Sequence, residues 1–227
     1  MLGIFDSGVG GLTALCELRK IHPTLDLCFL SDFENAPYGT KSRKELIALV
    51  KKDITRLIDA GADKILMACC TASSVHPYLP QEMQRISVPI ISPTARDASY
   101  ATQNGKVCVI ATNATVNSEA FPRELSRYKN IKRVFSLKTQ ELVTLVESGY
   151  DDRNITENQR ERIVRLLSPI KDTDADTLIL GCTHFPRLTK TIAGILPKMK
   201  LISSSYSGAV EIAKDVPRYQ CGETIYL

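Results

Sequence analysis

Asp63-Lys64-Ile65-Leu66-Met67-Ala68-Cys69 and Asp176-Thr177-Leu178-Ile179-Leu180-Gly181-Cys182 repeat one pattern 113 residues apart. In each, a thiol stands six residues beyond an aspartate, at the end of an apolar run, and a threonine follows closely, Thr71 or Thr183. Four or five apolar residues without helical period, bounded by small and polar residues, read as a buried strand of a parallel sheet. Both thiols are therefore expected at carboxyl ends of strands. Open α/β sheets bind ligands along that edge, so two halves of one chain could aim two thiols into a single crevice.

Working outward, short apolar runs alternate with amphipathic stretches. Strands are expected at 2–5, 25–30, 64–67, 88–91, 106–111, 132–135, 177–180, 199–202 and 224–227. Helical spacing covers 11–21, 42–59, 139–148 and 156–170, where Thr156 and Gln159 make a capping box. Strand and helix in alternation point to βαβ units, an α/β fold with mainly parallel sheets.

The 227 residues are enough for one large or two small α/β domains, and 44% hydrophobic with 24% charged residues is ordinary globular composition. A net charge of +4, with both signs interspersed, gives no reason to expect nucleic acid or a membrane surface as partner. The chain does not open on a basic segment followed by a long apolar one. A cytoplasmic enzyme is expected. The seven cysteines are odd in number and lack a C-x-x-C, so buried or catalytic thiols are expected in place of disulfides. Cys16, Cys28 and Cys108 lie in apolar segments and read as core. Cys69, Cys70 and Cys182 are followed by loop chemistry.

Four segments after strands carry polar groups in tight turns. Phe5-Asp6-Ser7-Gly8-Val9-Gly10-Gly11 permits a sharp turn into a helix with amides free for an anion. The second runs from Asp32 through Pro37-Tyr38-Gly39-Thr40. The third and fourth, Ala68-Cys69-Cys70-Thr71 and Gly181-Cys182-Thr183-His184, place a thiol, a hydroxyl and amides where a helix could begin, a setting that favours the thiolate. His184 could hold or exchange a proton with Cys182. His22 and His76 each precede a proline and read as loop residues.

Together these segments resemble the glutamate racemase family, cofactor-independent amino-acid racemases that supply D-glutamate for peptidoglycan. The likeness is carried by FDSGVGG at 5–11, APYGTKS at 36–42, ACCTAS at 68–73, VCVIATNATVNSEAF at 107–121, LVESG at 145–149 and GCTHFP at 181–186. It implies two pseudo-symmetric α/β domains, 1–93 with 204–227 and 94–203, and an active site in the cleft between them. It implies catalytic roles for Cys69 and Cys182, with Asp6 and His184 as their proton-handling neighbours. Substrate would be bound by Asp6, Ser7, Tyr38, Gly39, Cys70, Thr71, Thr183 and His184. Glutamate is the implied substrate, no cofactor or metal is implied, and a homodimer is. The chain departs from the family pattern at Cys70, which replaces an asparagine, at Thr139-Gln140, which replaces Cys-Pro, at Thr144, and near Tyr206. Other readings are a racemase for aspartate or another small amino acid, a binding or regulatory homologue, and a zinc site from Cys69, Cys70, Cys182 and His184.

Overall fold

The computed structural model describes residues 1–215 and 222–227; Cys221 lies outside them. Nine strands form two sheets: β1 Leu2–Asp6, β2 Leu27–Ser31, β3 Lys64–Met67, β4 Ser87–Pro89, β5 Lys106–Ala111, β6 Arg133–Lys138, β7 Thr177–Gly181, β8 Lys200–Ser203 and β9 Thr224–Tyr226. One sheet runs β4-β3-β1-β2-β9 and the other β6-β5-β7-β8, with every pairing parallel. Read from the opposite edge, the second sheet is β8-β7-β5-β6, the same order as β4-β3-β1-β2. The two sequence echoes thus occupy equivalent strands, β3 and β7. Their aspartates precede those strands, Asp63 facing the Met1 amine at 3.4 Å and Asp176 taking Thr102 Oγ1 and the Gln103 and Asn104 amides at 2.6–2.9 Å.

Strands β1 and β3 lie inside their sheet and are apolar along nearly their whole length, as two-sided burial requires. The outer face of the first sheet is covered by the helix Arg43–Asp59. Its start is a capping box in which Ser42 accepts from the Glu45 amide and Glu45 accepts from the Ser42 amide. Leu46, Val50, Ile54 and Leu57 recur along its buried stripe, each contributing on the order of 1.5–3 kcal/mol before ordering entropy. The helices Gln140–Glu147 and Glu157–Lys171 cover the outer face of the second sheet, the latter opened by the expected Thr156/Gln159 box. A shared core joins the inner faces: Ile4, Phe29 and Leu66 of one sheet and Val107, Val109 and Ile179 of the other belong to one cluster, with Ile91, Ala95 and Ala209 from helices between them.

Some expectations shift. The strand expected over 88–91 ends at Pro89, and a helix begins at Ile91 and runs to Ala101. A short apolar run does not reveal where pairing stops, and here the chain turns inward to fill the inter-sheet core. The helices Thr189–Ile195 and Ser204–Ala213 were also not legible. Cys28 and Cys108 are buried as expected, but Cys16 is exposed, because its helix turns Leu15 and Leu18 inward and Cys16 outward. His22 and His76 are placed structurally, each ring against a backbone carbonyl, of Ala213 and Ser87.

Candidate active site

The carboxyl ends of β1, β3, β5 and β7 meet around one narrow cavity of about 20 Å³. From the first sheet come Ser7 after β1, Tyr38 and Gly39 from the loop after β2, and Cys69, Cys70 and Thr71 after β3; from the second come Cys182, Thr183 and His184 after β7. Asp6 lies beneath this lining, wholly buried, with Oδ2 accepting from Thr183 Oγ1 at 2.9 Å. The junction is tight. A Cβ on Gly10 would collide with Thr183 Oγ1 and stand 2.8 Å from His184 Nδ1, so the glycine turn lets one sheet's loop touch the other's.

Cys69 caps the short helix Cys70–Ser73, its sulfur 3.5 Å from the Ala72 amide and 3.4 Å from Ser7 Oγ. The amide and hydroxyl favour the thiolate, yet burial outweighs them and, with Asp6 nearby, pushes Cys69 up to about 11. Cys182 Sγ lies 3.5 Å from His184 Nδ1; burial again, joined by the neighbouring Cys70 and Cys69, holds it well above the ordinary thiol value. The expected depression of both thiols is therefore overturned by burial. One helix-start amide is a weaker influence than complete desolvation.

Each thiol has a proton acceptor beside it. Burial raises Asp6 to about 7, against the pull of the Thr183 hydroxyl and the Gly8 and Ser7 amides. Burial, with Arg187 nearby, lowers His184 to about 4, so its imidazole is neutral at pH 7. The Glu147 carboxylate lies 3.5 Å from His184 Nε2, a buried nitrogen with no hydrogen-bond partner among the described residues. Glu147 was quoted above only as part of LVESG; its place against the imidazole comes from a contact within the second half, between the end of the helix Gln140–Glu147 and the loop after β7.

Gln140, named above only as a departure from the family pattern, and Thr112, quoted only within the 107–121 segment, also line the cavity. Thr71, Thr112 and Thr115 hydroxyls close a triangle with edges of 2.9, 3.0 and 2.9 Å, tying the first sheet's loop to the second's. Cys70 packs in the inter-sheet core with the Ser204 hydroxyl against its sulfur, and burial raises its pKa strongly. The Tyr38 hydroxyl turns away from the cavity toward two buried acids, Asp32 and Asp53. Among the described residues, no group of three or more His, Cys, Asp and Glu side chains has metal-holding geometry, which weighs against the zinc reading.

A model of the family described as Asp/Glu/Hydantoin racemase matches residues 16–211. The chain belongs to that family. A glutamate racemase of Desulforudis audaxviator is 38% identical over 205 residues, spanning 88% of this chain and 73% of the relative. A glutamate racemase isoform of Bacillus anthracis superposes with a TM-score of 0.89 at 30% identity, over 100% of this chain and 86% of that one. The glutamate racemase of Francisella tularensis, solved in complex with D-glutamate, gives the same TM-score and identity over 99% of this chain and 86% of its own. The two-sheet α/β fold and the racemase assignment drawn from the sequence agree with these likenesses. Among the described residues, no helix is long and apolar enough to cross a membrane.

Proposed function

We propose that this protein is a cofactor-independent glutamate racemase in which Cys69 and Cys182 exchange protons with the substrate α-carbon from opposite sides. The observation that carries the reading is the pair of thiols at equivalent ends of β3 and β7, in one cavity, with His184 against Cys182 and the buried Asp6 acting on both sulfurs. Burial holds both thiols protonated at neutral pH, so one must be ionised as substrate enters. The substrate ammonium, drawn into a dry site containing Asp6, favours the thiolate by charge pairing. That thiolate removes the α-proton, and the opposite thiol delivers its own proton to the other face; the roles reverse for the return reaction. Asp6 handles the proton on the Cys69 side. Neutral His184, backed by Glu147, does so on the Cys182 side. Ser7, Thr71 and Thr183 supply hydroxyls for the substrate carboxylates and for charge developing on the carbanion, while Tyr38 and Gly39 form a wall and Cys70 a side of the pocket.

The relatives' names and the D-glutamate bound in the Francisella protein support glutamate as substrate; D-glutamate for peptidoglycan and a cytoplasmic setting belong to the same proposal. The division into 1–93 with 204–227 and 94–203 fits the two sheets, and a homodimer is part of the same reading, to be checked by sedimentation velocity. The deciding experiment incubates protein dialysed against chelator with L-glutamate, D-glutamate or aspartate in deuterated water, following optical rotation and α-proton exchange. Racemisation of glutamate with solvent deuterium incorporation is expected, with a ~10²- to 10⁴-fold loss in Cys69→Ser and in Cys182→Ser. Wild-type rates in either variant, or activity that returns only on adding zinc or pyridoxal, would sink the reading.

A further inference from the structure

Asp53 stands on the buried stripe of the helix Arg43–Asp59, among Leu46, Val50, Ile54 and Leu57, and is 1% exposed. A carboxyl there needs a partner. Its Oδ2 lies 2.8 Å from the Tyr38 hydroxyl, which also lies 2.6 Å from Asp32 Oδ2. Tyr38 and Asp32 are buried too, and Asn35 Nδ2 donates to the other oxygen of Asp32 at 2.9 Å.

A proton count constrains this cluster. A phenol has one O–H, and ionised carboxylates only accept. With both acids ionised, one of the two short contacts would set lone pair against lone pair in a dry interior. Every contact is satisfied if Asp53 keeps its proton and donates to Tyr38, Tyr38 donates to Asp32, and Asn35 donates to Asp32. The surroundings agree with that order. Asp32 has two donors, whereas Asp53 Oδ1 has no hydrogen-bond partner among the described residues and its nearest cation, the partly exposed Arg56, is 3.7 Å away. Arg56 and Lys52 on the same helix favour ionised Asp53; Asp32, from the loop after β2, opposes it; β1 contributes the Phe5 ring, edge-on to Tyr38 with centroids 6.2 Å apart. Burial is the largest influence and raises Asp53 to about 6, while Tyr38 is held far above the usual phenol range and keeps its proton.

We propose that Asp53 is a positioning residue for the substrate pocket: as a neutral acid it locks Tyr38 to Asp32 and so holds Pro37, Tyr38 and Gly39 in place as one wall of the thiol cavity. Its substrate rests on the glutamate racemase reading; the shared proton does not. Loss of that proton leaves two buried carboxylates competing for one hydroxyl, which loosens the wall. Substrate binding weakens as pH rises, while proton transfer by the thiols is untouched.

The test compares wild type with Asp53→Asn, whose Nδ2 donates as the acid does but cannot ionise, and with Asp53→Leu, which has no donor. Calorimetric melting from pH 5 to pH 8 needs no substrate. A carboxyl raised on folding contributes stability in full below about pH 4 and loses it as pH rises through about 6. Wild type should therefore lose ~3–5 °C more than Asp53→Asn across this range; Asp6 is raised in both proteins and cancels in the difference. In turnover, the wild-type KM for L-glutamate should climb by up to ~10-fold per pH unit above the transition. Asp53→Asn should keep a flat KM, and Asp53→Leu a high KM at every pH, with kcat similar in all three. Equal pH slopes in wild type and Asp53→Asn, or an Asp53→Asn KM as poor as that of Asp53→Leu, would overturn the proposal. A folded wild type without turnover would count against the racemase reading, and melting would then decide the shared proton alone.

Discussion

Asp6 and Cys70 are the residues whose chemistry is most open to direct measurement. Asp6 is raised to about 7 by burial, so it is a mixture of acid and carboxylate at neutral pH. As the proposed acceptor beside Cys69 it is useful only when ionised, and kcat should rise with pH through about 7. Asp6→Asn should abolish that ascending limb together with most activity; a limb that persists in residual turnover would assign it elsewhere. Folding stability moves the opposite way, since a raised carboxyl stabilises fully below about pH 4 and that contribution is lost as pH rises through about 7. Cys70 lies where the resemblance implies an asparagine, and a thiol makes weaker hydrogen bonds than a carboxamide. An unmade pair of bonds corresponds to ~1–3 kcal/mol, about one to two powers of ten in affinity. Cys70→Asn should accordingly lower the KM for glutamate in steady-state assays. An unchanged or higher KM would mean that the core packing of Cys70 with Ser204, and not substrate contact, sets this position.

At the scale of the element, the glycine turn after β1 shows how a loop acquires its sequence from a distant neighbour. Gly10 packs under Thr183 and His184, and a Cβ there must displace one of them. Gly10→Ala should cost ~1–3 kcal/mol by overpacking. Because the atoms displaced include the imidazole beside Cys182, activity should fall by a larger factor than the change in melting temperature implies. A loss of stability with full activity would mean that the turn relaxes without moving His184. The capping boxes at Ser42 and Thr156 act on their own helices, as their sequence spacing predicts. Element starts governed by such local bonds were legible; the helix from Ile91 to Ala101 was not, since its start follows the space between the sheets.

Over the whole molecule, the cavity depends on how one sheet seats against the other, and the hydroxyl triangle of Thr71, Thr112 and Thr115 lies across that seam. Thr115 stands outside the cavity lining, so Thr115→Val removes one corner while leaving the Thr71–Thr112 bond. The buried hydroxyl is worth about 1 kcal/mol. Melting should drop accordingly, and KM for glutamate should rise several-fold as the seam loosens. Unaltered KM in a destabilised variant would confine the triangle to a structural role.

The apolar runs, the alternation of strand and helix, the Thr156 capping box and the placement of both thiols at strand ends were all legible in the sequence, because each depends on residues within a few positions of one another. The repeated Asp-to-Cys spacing even marked the equivalent strands β3 and β7 of two sheets with one strand order. The ionisation of the thiols was not legible: complete burial reversed the direction that a helix start alone suggests. Nor were Glu147 against His184, the acid pair behind Tyr38, or the exposed side of Cys16. Those features depend on desolvation and on contacts between segments distant in sequence within one half, whereas the Asp6–Thr183 bond forms only when one sheet is seated against the other.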